Sequence, residues 1–258
     1  MLRWMLRGVG RGRVTTRYPA QPENAPDGFR GRVDVLDPAG ARAELSAVCP
    51  TGAIAVDAAG RLTLDRGRCI LCGECVRAAP ERFGFKSAYE TAARSRAGLV
   101  VPVGGVDNEQ PRVPLGQAAA TLKRSVHVRH IDCGSDGCEE WEIQALWNPY
   151  YDIQRLGFFL TASPRHADVL LVTGGVTEPM RRPLERTWQV MPEPKALIAV
   201  GTDACSGGLA GESDLVAGGV DRVLAVDVYV PGSPPSPIAI MHGLLLAVGL
   251  LAERRVAA

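Results

Sequence analysis

Three cysteines at three-residue intervals constrain this chain more than any other feature. Cys69, Cys72 and Cys75 form a Cys-x2-Cys-x2-Cys run. A short loop with this spacing can direct three thiolates at three irons of one 4Fe–4S cluster. Zinc is the alternative, but zinc ribbons usually combine two separated Cys-x2-Cys pairs rather than a triple. The run therefore favours an iron–sulfur cluster.

A fourth ligand is available upstream at Cys49. In bacterial two-cluster ferredoxins each triple continues with x3-Cys-Pro, and that fourth cysteine binds the other cluster. Cys49 and Pro50 match the end of such a run, so Cys49 completes four ligands for one 4Fe–4S cluster. The four positions that would hold the other cluster carry residues that are not ligands: Ala39, Arg42, Leu45 and Ala79.

Composition limits the classes of protein to consider. The chain has 258 residues, 46% of them apolar and 22% charged, as expected for one large or two ordinary globular domains. A net charge of +1 argues against nucleic-acid binding. No apolar run reaches the length of about 18 residues that a transmembrane helix needs, and Arg3 and Arg7 interrupt any signal-peptide core. We therefore expect a reducing compartment, in which the seven cysteines indicate metal rather than disulfides.

Residues 1–14 are a basic amphipathic segment with four arginines and no acidic residue. Alone it is too short for a stable helix in water. Two interpretations remain open, a helix that folds on an anionic membrane surface or membrane subunit, and a frayed terminus. The apolar positions at helical spacing are Leu2, Met5, Leu6 and Val9, beside Arg3, Arg7 and Arg11.

Residues 15–97 hold the four cysteines of the first set and many turn residues. Ile54–Val56 and Leu62–Leu64 predict two short strands joined by a turn. Residues 98–120 mix Gly, Pro, Asp, Asn and Gln without periodicity, which indicates a linker.

Residues 121–258 alternate strand and helix patterns, which predicts a parallel sheet covered on both faces. Ligands of such sheets bind beyond the carboxyl ends of the strands. The predicted strands are Val126–Ile131, Val169–Thr173, Leu197–Val200 and Val223–Val228, and the predicted helices lie in Asn148–Leu160, Glu178–Val190 and Pro237–Ala252.

The other three cysteines follow predicted strands at this edge. Cys133 and Cys138 come after the first strand, and Cys205 lies in the glycine-rich loop Gly201–Gly208. We therefore expect a second site here. The glycine pairs in this region form neither G-x-G-x-x-G nor a Walker sequence, so no nucleotide is expected. No Ser–His–Asp arrangement or metal-type histidine spacing is present, so we assign no catalytic residue.

Residues 1–101 resemble the ferredoxin-like subunit of respiratory complex I and of membrane-bound, energy-converting hydrogenases. Besides the cysteines, Thr15–Pro19 and Gly28–Gly31 match that subunit. The resemblance implies a small α+β ferredoxin-like iron–sulfur domain whose N-terminus lies on the membrane or a membrane subunit. The chain departs from this family in having ligands for one cluster where two are usual.

Residues 121–250 resemble the small subunit of group 4 nickel–iron hydrogenases and its relative, the complex I 20 kDa subunit. The resemblance implies a flavodoxin-like α/β domain that holds a 4Fe–4S cluster beside a separate catalytic large subunit. The matching stretches are Arg129–Asp132, Gly137–Glu139, Asn148–Ile153, Ser163–Asp168, Val172–Gly174, Pro192–Lys195 and Val228–Gly232.

Only Cys138 is in register with a ligand of that family. The third family cysteine falls near Asp203, whereas this chain has Cys205, and the fourth falls on Ser233. One interpretation is a modified second cluster on Cys133, Cys138 and Cys205 with an oxygen ligand such as Ser233. The other is a degenerate site in a fold kept for its interfaces.

These features together predict an electron-transfer subunit of a hydrogenase- or NADH:quinone-oxidoreductase-like complex. Electrons would pass between the first cluster and the second site, with the chemistry on a partner large subunit. Membrane subunits would be further partners, and the chain would lie peripherally on the cytoplasmic face without a transmembrane helix. The rival hypothesis is a structural scaffold subunit whose second site is vestigial.

Overall fold

Two small antiparallel sheets make up the N-terminal part of the protein. The structure is a computed structural model that describes residues 2–41, 43–102 and 125–251. In chain order the N-terminal elements are α1 (Leu2–Arg11), β1 (Arg32–Val35), a 3-10 helix (Ala43–Val48), β2 (Ile54–Val56), β3 (Leu62–Asp65), α2 (Glu74–Ala78), β4 (Phe83–Lys86), a second 3-10 helix (Ala97–Leu99) and β5 (Val100–Val101).

In the first sheet β1 pairs with β4, and in the second β3 lies between β2 and β5. The hairpin of β2 and β3 confirms the two strands predicted in this region. Its turn is closed by Asp57, whose carboxylate accepts hydrogen bonds from the backbone N–H groups of Ala59 and Arg61 at 2.9 Å. The two sheets enclose one core of buried residues: Val33, Ala53, Ile54, Leu62, Leu64, Cys75, Ala79 and Phe83.

The strand β5 lies inside the segment for which we expect a linker. Val100 and Val101 pair with Asp65 and Leu64, and the preceding Leu99 is buried. Apolar side chains at this point thus extend the N-terminal sheet beyond residue 97. Residues 103–120 of the expected linker lie outside the described part of the chain.

The helix α1 forms over residues predicted to be amphipathic. Its side chains from Leu6 onwards are exposed, including the apolar Leu6 and Val9 at 63% and 82%. Within the described ranges, no helix has the length and apolar character required to cross a bilayer.

A five-stranded sheet with helices on both faces makes up the C-terminal part. Its elements are β6 (Val126–Asp132), α3 (Cys138–Ala145), a 3-10 helix (Ile153–Leu156), β7 (Phe158–Leu160), a 3-10 helix (Pro164–His166), β8 (Val169–Thr173), α4 (Glu178–Val190), β9 (Ala196–Val200), α5 (Thr202–Ser206), a 3-10 helix (Val220–Arg222), β10 (Val228–Val230) and α6 (Pro237–Ala247).

The strand order is β10–β9–β8–β6–β7, and every neighbouring pair is parallel. This confirms the predicted parallel α/β sheet. Every residue of β8, β9 and β10 is buried because helices cover both faces. Val169 and Leu171 contribute to the core shared with α3 and α6, whereas Leu170 and Val172 contribute to the core shared with α4.

The helix predicted over Asn148–Leu160 is wrong. The side-chain oxygen of Asn148 accepts hydrogen bonds from the backbone N–H groups of Tyr150 and Tyr151, which closes a turn. A short 3-10 helix follows and ends at Gly157, whose φ is 87°. The apolar residues after this glycine then form β7 beside β6.

The last predicted strand is displaced along the chain. We expected Val223–Val228, but β10 begins only at Val228. Asp227 precedes it and its carboxylate accepts a hydrogen bond from the backbone N–H of Leu197 at 2.8 Å. The predicted helices of α4 and α6 are confirmed, α4 with the predicted bounds.

The two parts of the chain contact each other through backbone hydrogen bonds. Ala93 and Tyr229 form an antiparallel bridge with N–H···O distances of 2.9 and 2.8 Å. The backbone N–H of Thr16 donates to the carbonyl oxygen of Tyr150 at 2.8 Å. The N-terminal part therefore contacts the C-terminal part at two places, at β10 and at the turn that precedes β7 in the chain.

Candidate functional site

The four cysteines of the first set line one small cavity. Cys49 precedes β2, Cys69 and Cys72 lie in the loop after β3, and Cys75 lies in α2. The cavity thus gathers residues that are up to 26 positions apart in the chain, as the sequence predicted. The rest of its wall is formed by Val33, Thr51, Ile54, Leu64, Ile70, Gly73 and Glu74.

The cysteine loop depends on two residues with positive φ. Leu71 has a φ of 56°, which is uncommon for a residue with a side chain. Gly73 has a φ of 81° and precedes α2. A Cβ atom at Gly73 would lie 3.1 Å from the ring of Phe85, so this position suits glycine for both conformation and space.

Several donors face the sulfur atoms in the first set. The backbone N–H of Ala53 donates to Cys49 Sγ at 3.3 Å, and the Thr51 hydroxyl lies 3.4 Å from the same atom. The backbone N–H of Leu71 hydrogen-bonds Cys69 and lowers its pKa. Such donors stabilise thiolates, and hydrogen bonds to sulfur tune iron–sulfur clusters.

Burial works in the opposite direction on these thiols. Burial first, and then the charges of the other three cysteines, raise the pKa of Cys69 to about 12 in spite of the Leu71 hydrogen bond. The pKa of Cys75 is also raised, first by burial and then by Cys72 and Cys49. Four thiolates this close together therefore need a positive partner.

The donor set fits a 4Fe–4S cluster. Four sulfurs converge on one cavity with aliphatic walls, and backbone N–H groups point at two of them. The iron ions of a cluster would supply the positive charge that four adjacent thiolates require.

The other three cysteines, Cys133, Cys138 and Cys205, are called the second set, and their arrangement differs from that of the first set. Cys133 continues the alternation of β6, so that it shares a face with Ile131 and enters the core beside α4 with no exposed surface. Cys205 lies in α5 and belongs to the same core, with its sulfur 3.9 Å from the Ala199 carbonyl oxygen. Burial raises the pKa of both thiols, that of Cys133 to about 12.

Cys138 has other surroundings. It is the first residue of α3, the helix on the opposite face of the sheet, and its thiol donates to the Glu139 carboxylate at 3.2 Å. The sulfur and the carboxylate oxygens of Asp136 and Glu139 lie within 4.8 Å of one another. Ser233 is exposed.

The second set therefore does not fit a 4Fe–4S cluster. The core beside α4 encloses two of its sulfurs, and the third is hydrogen-bonded to a carboxylate at the other face. The cluster predicted on Cys133, Cys138, Cys205 and Ser233 remains a prediction, without support from this arrangement.

The loops at the carboxyl edge of the sheet nevertheless meet as predicted. A Cβ atom at Gly174 would lie 2.5 Å from the backbone of Gly134. The backbone N–H of Thr202 donates to the Gly232 carbonyl oxygen at 2.8 Å. Thr202 also donates from its hydroxyl to the Cys69 carbonyl oxygen at 3.1 Å, so the first cysteine set lies against this edge.

Sequence reasoning missed Glu139 as a residue of this edge. It is 1% exposed, and a Cβ atom at Gly201 would lie 2.4 Å from its carboxylate oxygen. Burial raises the pKa of Glu139 to about 7, and the hydrogen bond from Cys138 opposes this rise. The available signal was its position directly after Cys138, at the start of a helix that packs on the sheet.

We predict that Glu139→Gln changes the pH dependence of stability. Between about pH 4.5 and 7 the folded chain retains a proton that the unfolded chain releases, so the free energy of unfolding falls as pH rises through this window. The variant should lose this fall of about 1–3 kcal/mol. Anaerobic urea unfolding at pH 5 and pH 8 measures it, with Glu178→Gln, an exposed carboxylate, as control. Equal pH dependence in Glu139→Gln and the unsubstituted chain would refute the assignment.

Comparisons with known proteins concern the C-terminal part. Residues 135–247 match the family described as NADH ubiquinone oxidoreductase, 20 Kd subunit. Formate hydrogenlyase subunit 7 of Escherichia coli (strain K12) is 46% identical over 134 residues, which are 52% of each chain. The present chain thus spans about half the length of that relative.

Two further comparisons cover more of the other chain. The probable membrane-bound hydrogenase subunit mbhJ of Pyrococcus furiosus is 42% identical over 140 residues, 54% of this chain and 83% of that one. A chain from the structure of the membrane-bound sulfane sulfur reductase, an archaeal respiratory membrane complex, has a TM-score of 0.46 at 28% identity, covering 52% of this chain and 75% of that one. From the family match and the relative covered over 83% of its length, we conclude that the chain belongs to the family of the NADH ubiquinone oxidoreductase 20 Kd subunit.

Proposed function

We propose that this chain is an electron-transfer subunit of a membrane-bound, hydrogenase- or complex I-type assembly, and that it carries one 4Fe–4S cluster. The observation that carries the proposal is the single cavity lined by Cys49, Cys69, Cys72 and Cys75, attached to a domain of the 20 Kd subunit family. Two relatives are named as subunits of formate hydrogenlyase and of a membrane-bound hydrogenase, which supports a role as one subunit among several.

The residues of the first set would bind the cluster and control its surroundings. When bound, a 4Fe–4S cluster supplies a centre that exchanges one electron. The four thiolates are its ligands, and the backbone N–H groups of Ala53 and Leu71 stabilise their charge. Val33 and Leu64 give the cavity an apolar wall, beside which electrostatic interactions are stronger than in bulk water.

The hydrogen bond from Thr202 to the Cys69 carbonyl oxygen supports a route toward the carboxyl edge of the sheet. Thr202 follows Gly201, which contacts Glu139 next to Cys138. The first cluster would therefore lie near the edge at which ligands of parallel sheets bind, without requiring a second cluster.

A partner large subunit is proposed to cover this edge. Three large apolar side chains in the segments beyond the carboxyl ends of the strands are exposed, Trp141 at 74%, Leu209 at 68% and Leu215 at 72%. Exposed apolar side chains of this size, with tryptophan foremost, are typical of protein interfaces. They support a docking surface for the subunit that performs the chemistry.

The helix α1 is proposed to lie on the cytoplasmic membrane surface or on a membrane subunit. Its exposed Leu6 and Val9 provide apolar contacts, and its arginines provide positive charge without an acidic residue in the helix. This would place the chain peripherally on its complex.

A second candidate is a structural scaffold subunit. It is favoured by the separation of Cys133 and Cys205 from Cys138, because the C-terminal domain then has no redox centre of its own. In that case the first cluster would transfer no electrons, and the only role of the chain would be to hold other subunits together.

An affinity-tagged chain, purified anaerobically with its complex, separates these candidates. The electron-transfer proposal expects large-subunit and membrane-subunit proteins to copurify, and the cluster EPR signal to appear when the physiological electron donor of the complex is added. Dithionite serves as the control for total reducible cluster. A signal that appears with dithionite but never with the donor would favour the scaffold. A chain that copurifies with neither kind of subunit would contradict both candidates.

A further inference from the structure

Two arginines of the N-terminal part, Arg32 and Arg66, both form ion pairs with Asp34. Arg66 follows β3, and its Nη2 forms an ion pair with Asp34 Oδ1, while Arg32 Nε lies 3.0 Å from the same oxygen. The three side chains are largely buried, with exposed fractions of 16%, 23% and 14% for Arg66, Asp34 and Arg32. This group of three is called the Arg66 triad below.

The Arg66 triad is next to the first cysteine set. The backbone N–H of Cys69 donates to the Arg66 carbonyl oxygen at 3.2 Å. Arg66 Nε donates to the carbonyl oxygen of Val33, a residue that lines the cavity, at 3.4 Å. Burial and then Arg32 lower the pKa of Arg66, while attraction to Asp34 and to Cys69 opposes that change. The hydrogen bond to Val33 places the Arg66 guanidinium beside the wall of the cavity that the four cysteines line.

The triad has a net charge of one positive unit. Two guanidinium groups surround one carboxylate, and partial burial limits screening by salt. One-electron reduction adds one negative charge at the four-thiolate site, with no bond or proton rearrangement required. A fixed positive charge nearby stabilises the reduced form more than the oxidised form, and net charge is one of the factors that set cluster potentials.

We propose that Arg66, held by Asp34, is a positioning residue that raises the reduction potential of the cluster on Cys49, Cys69, Cys72 and Cys75. The inference rests on the proposed function, since it requires that the cluster is present. Asp34 has two opposed effects in this account, because it orients Arg66 and also reduces the net charge of the triad. We expect its negative charge to dominate, because Arg66 has a second anchor in the hydrogen bond from its Nε to the Val33 carbonyl oxygen.

The test is a potentiometric EPR titration of the anaerobically purified chain, with dithionite as reductant. Arg66→Gln should move the midpoint potential to a lower value, and Asp34→Asn should move it to a higher one. Arg61→Gln is the matched control, since Arg61 is 76% exposed and pairs with Asp57 at the hairpin turn, and should leave the midpoint unchanged. Iron per chain, measured in parallel, reports whether each variant retains its cluster.

Shifts of opposite sign support the inference, because a merely structural disturbance would not reverse with the charge removed. Unchanged midpoints, or shifts of the same sign in both variants, overturn it. If Arg66→Gln loses its iron, the midpoint potential of Asp34→Asn decides. A shift to a higher potential supports the inference, and any other result overturns it. An unsubstituted chain with no reducible cluster refutes the proposed function instead.

Discussion

Replacing Cys72 with alanine is expected to remove nearly all iron from the protein. Cys72 lines the cavity together with the other three cysteines of the first set, and its loss leaves three ligands for four irons. Iron and acid-labile sulfide, measured on anaerobically purified chains, should fall from about four of each per chain to near zero. Near-ultraviolet and visible absorption of the cluster should disappear in parallel.

Cys138→Ala is the matched control for this experiment. It also removes one thiol of intermediate exposure, but from the edge of the C-terminal sheet, where the thiol is hydrogen-bonded to a carboxylate. We expect its iron content to equal that of the unsubstituted chain. Full retention of iron by Cys72→Ala would mean that the first set is not the ligand set.

Replacing Gly174 with alanine is expected to destabilise the C-terminal domain strongly. Gly174 follows β8 with a φ of 77°, and an added Cβ would lie 2.5 Å from the backbone of both Gly134 and Ser135. Since backbone atoms cannot move aside as a flexible side chain can, the loops after β6 and β8 would have to separate. We expect a loss of at least about 3 kcal/mol, more than the roughly 1–2 kcal/mol cost of a left-handed conformation alone.

Gly137→Ala isolates the conformational part of that loss. Gly137 has a φ of 90°, but an added Cβ would have nothing within 4 Å. Urea unfolding of both variants under anaerobic conditions gives the difference in the free energy of unfolding. Equal losses in the two variants would show that the close approach of Gly174 to the neighbouring loop has no energetic consequence.

The sequence signal for the first cysteine set is local. Cys69, Cys72 and Cys75 are close in the chain, so a short loop can direct their sulfurs to one centre. Cys49 is predicted as the fourth ligand because Pro50 follows it, as in the Cys-Pro end of a ferredoxin run. In the structure Cys49 lines the same cavity. The bounds of the strand β8 and the helix α4 also match the predicted ones, the helix in spite of Pro183 in its interior.

Prediction was weaker where side-chain direction decides the outcome. Cys133 was assigned to the edge of the sheet by its position after β6, but the alternation of that strand directs it into the core. Cys138 is only five residues away and lies on the opposite face because α3 begins there. Spacing along the chain does not report which face of a sheet a side chain occupies.

The turn at Asn148 shows a second reason for failure. The side-chain oxygen of Asn148 accepts hydrogen bonds from two backbone N–H groups, which favours a turn over the predicted helix. Such local hydrogen bonds compete with helix formation, and the pattern of apolar residues does not indicate whether they form.

We propose that one cluster, in the first cysteine set, is the redox centre of this chain. The measurement that tests it most directly is iron and acid-labile sulfide per chain in the triple variant Cys133→Ala, Cys138→Ala, Cys205→Ala, purified anaerobically beside the unsubstituted chain, with EPR after dithionite reduction. We expect about four irons in both chains and one reduced centre with the same EPR signal. About eight irons in the unsubstituted chain, falling to about four in the triple variant, would contradict it.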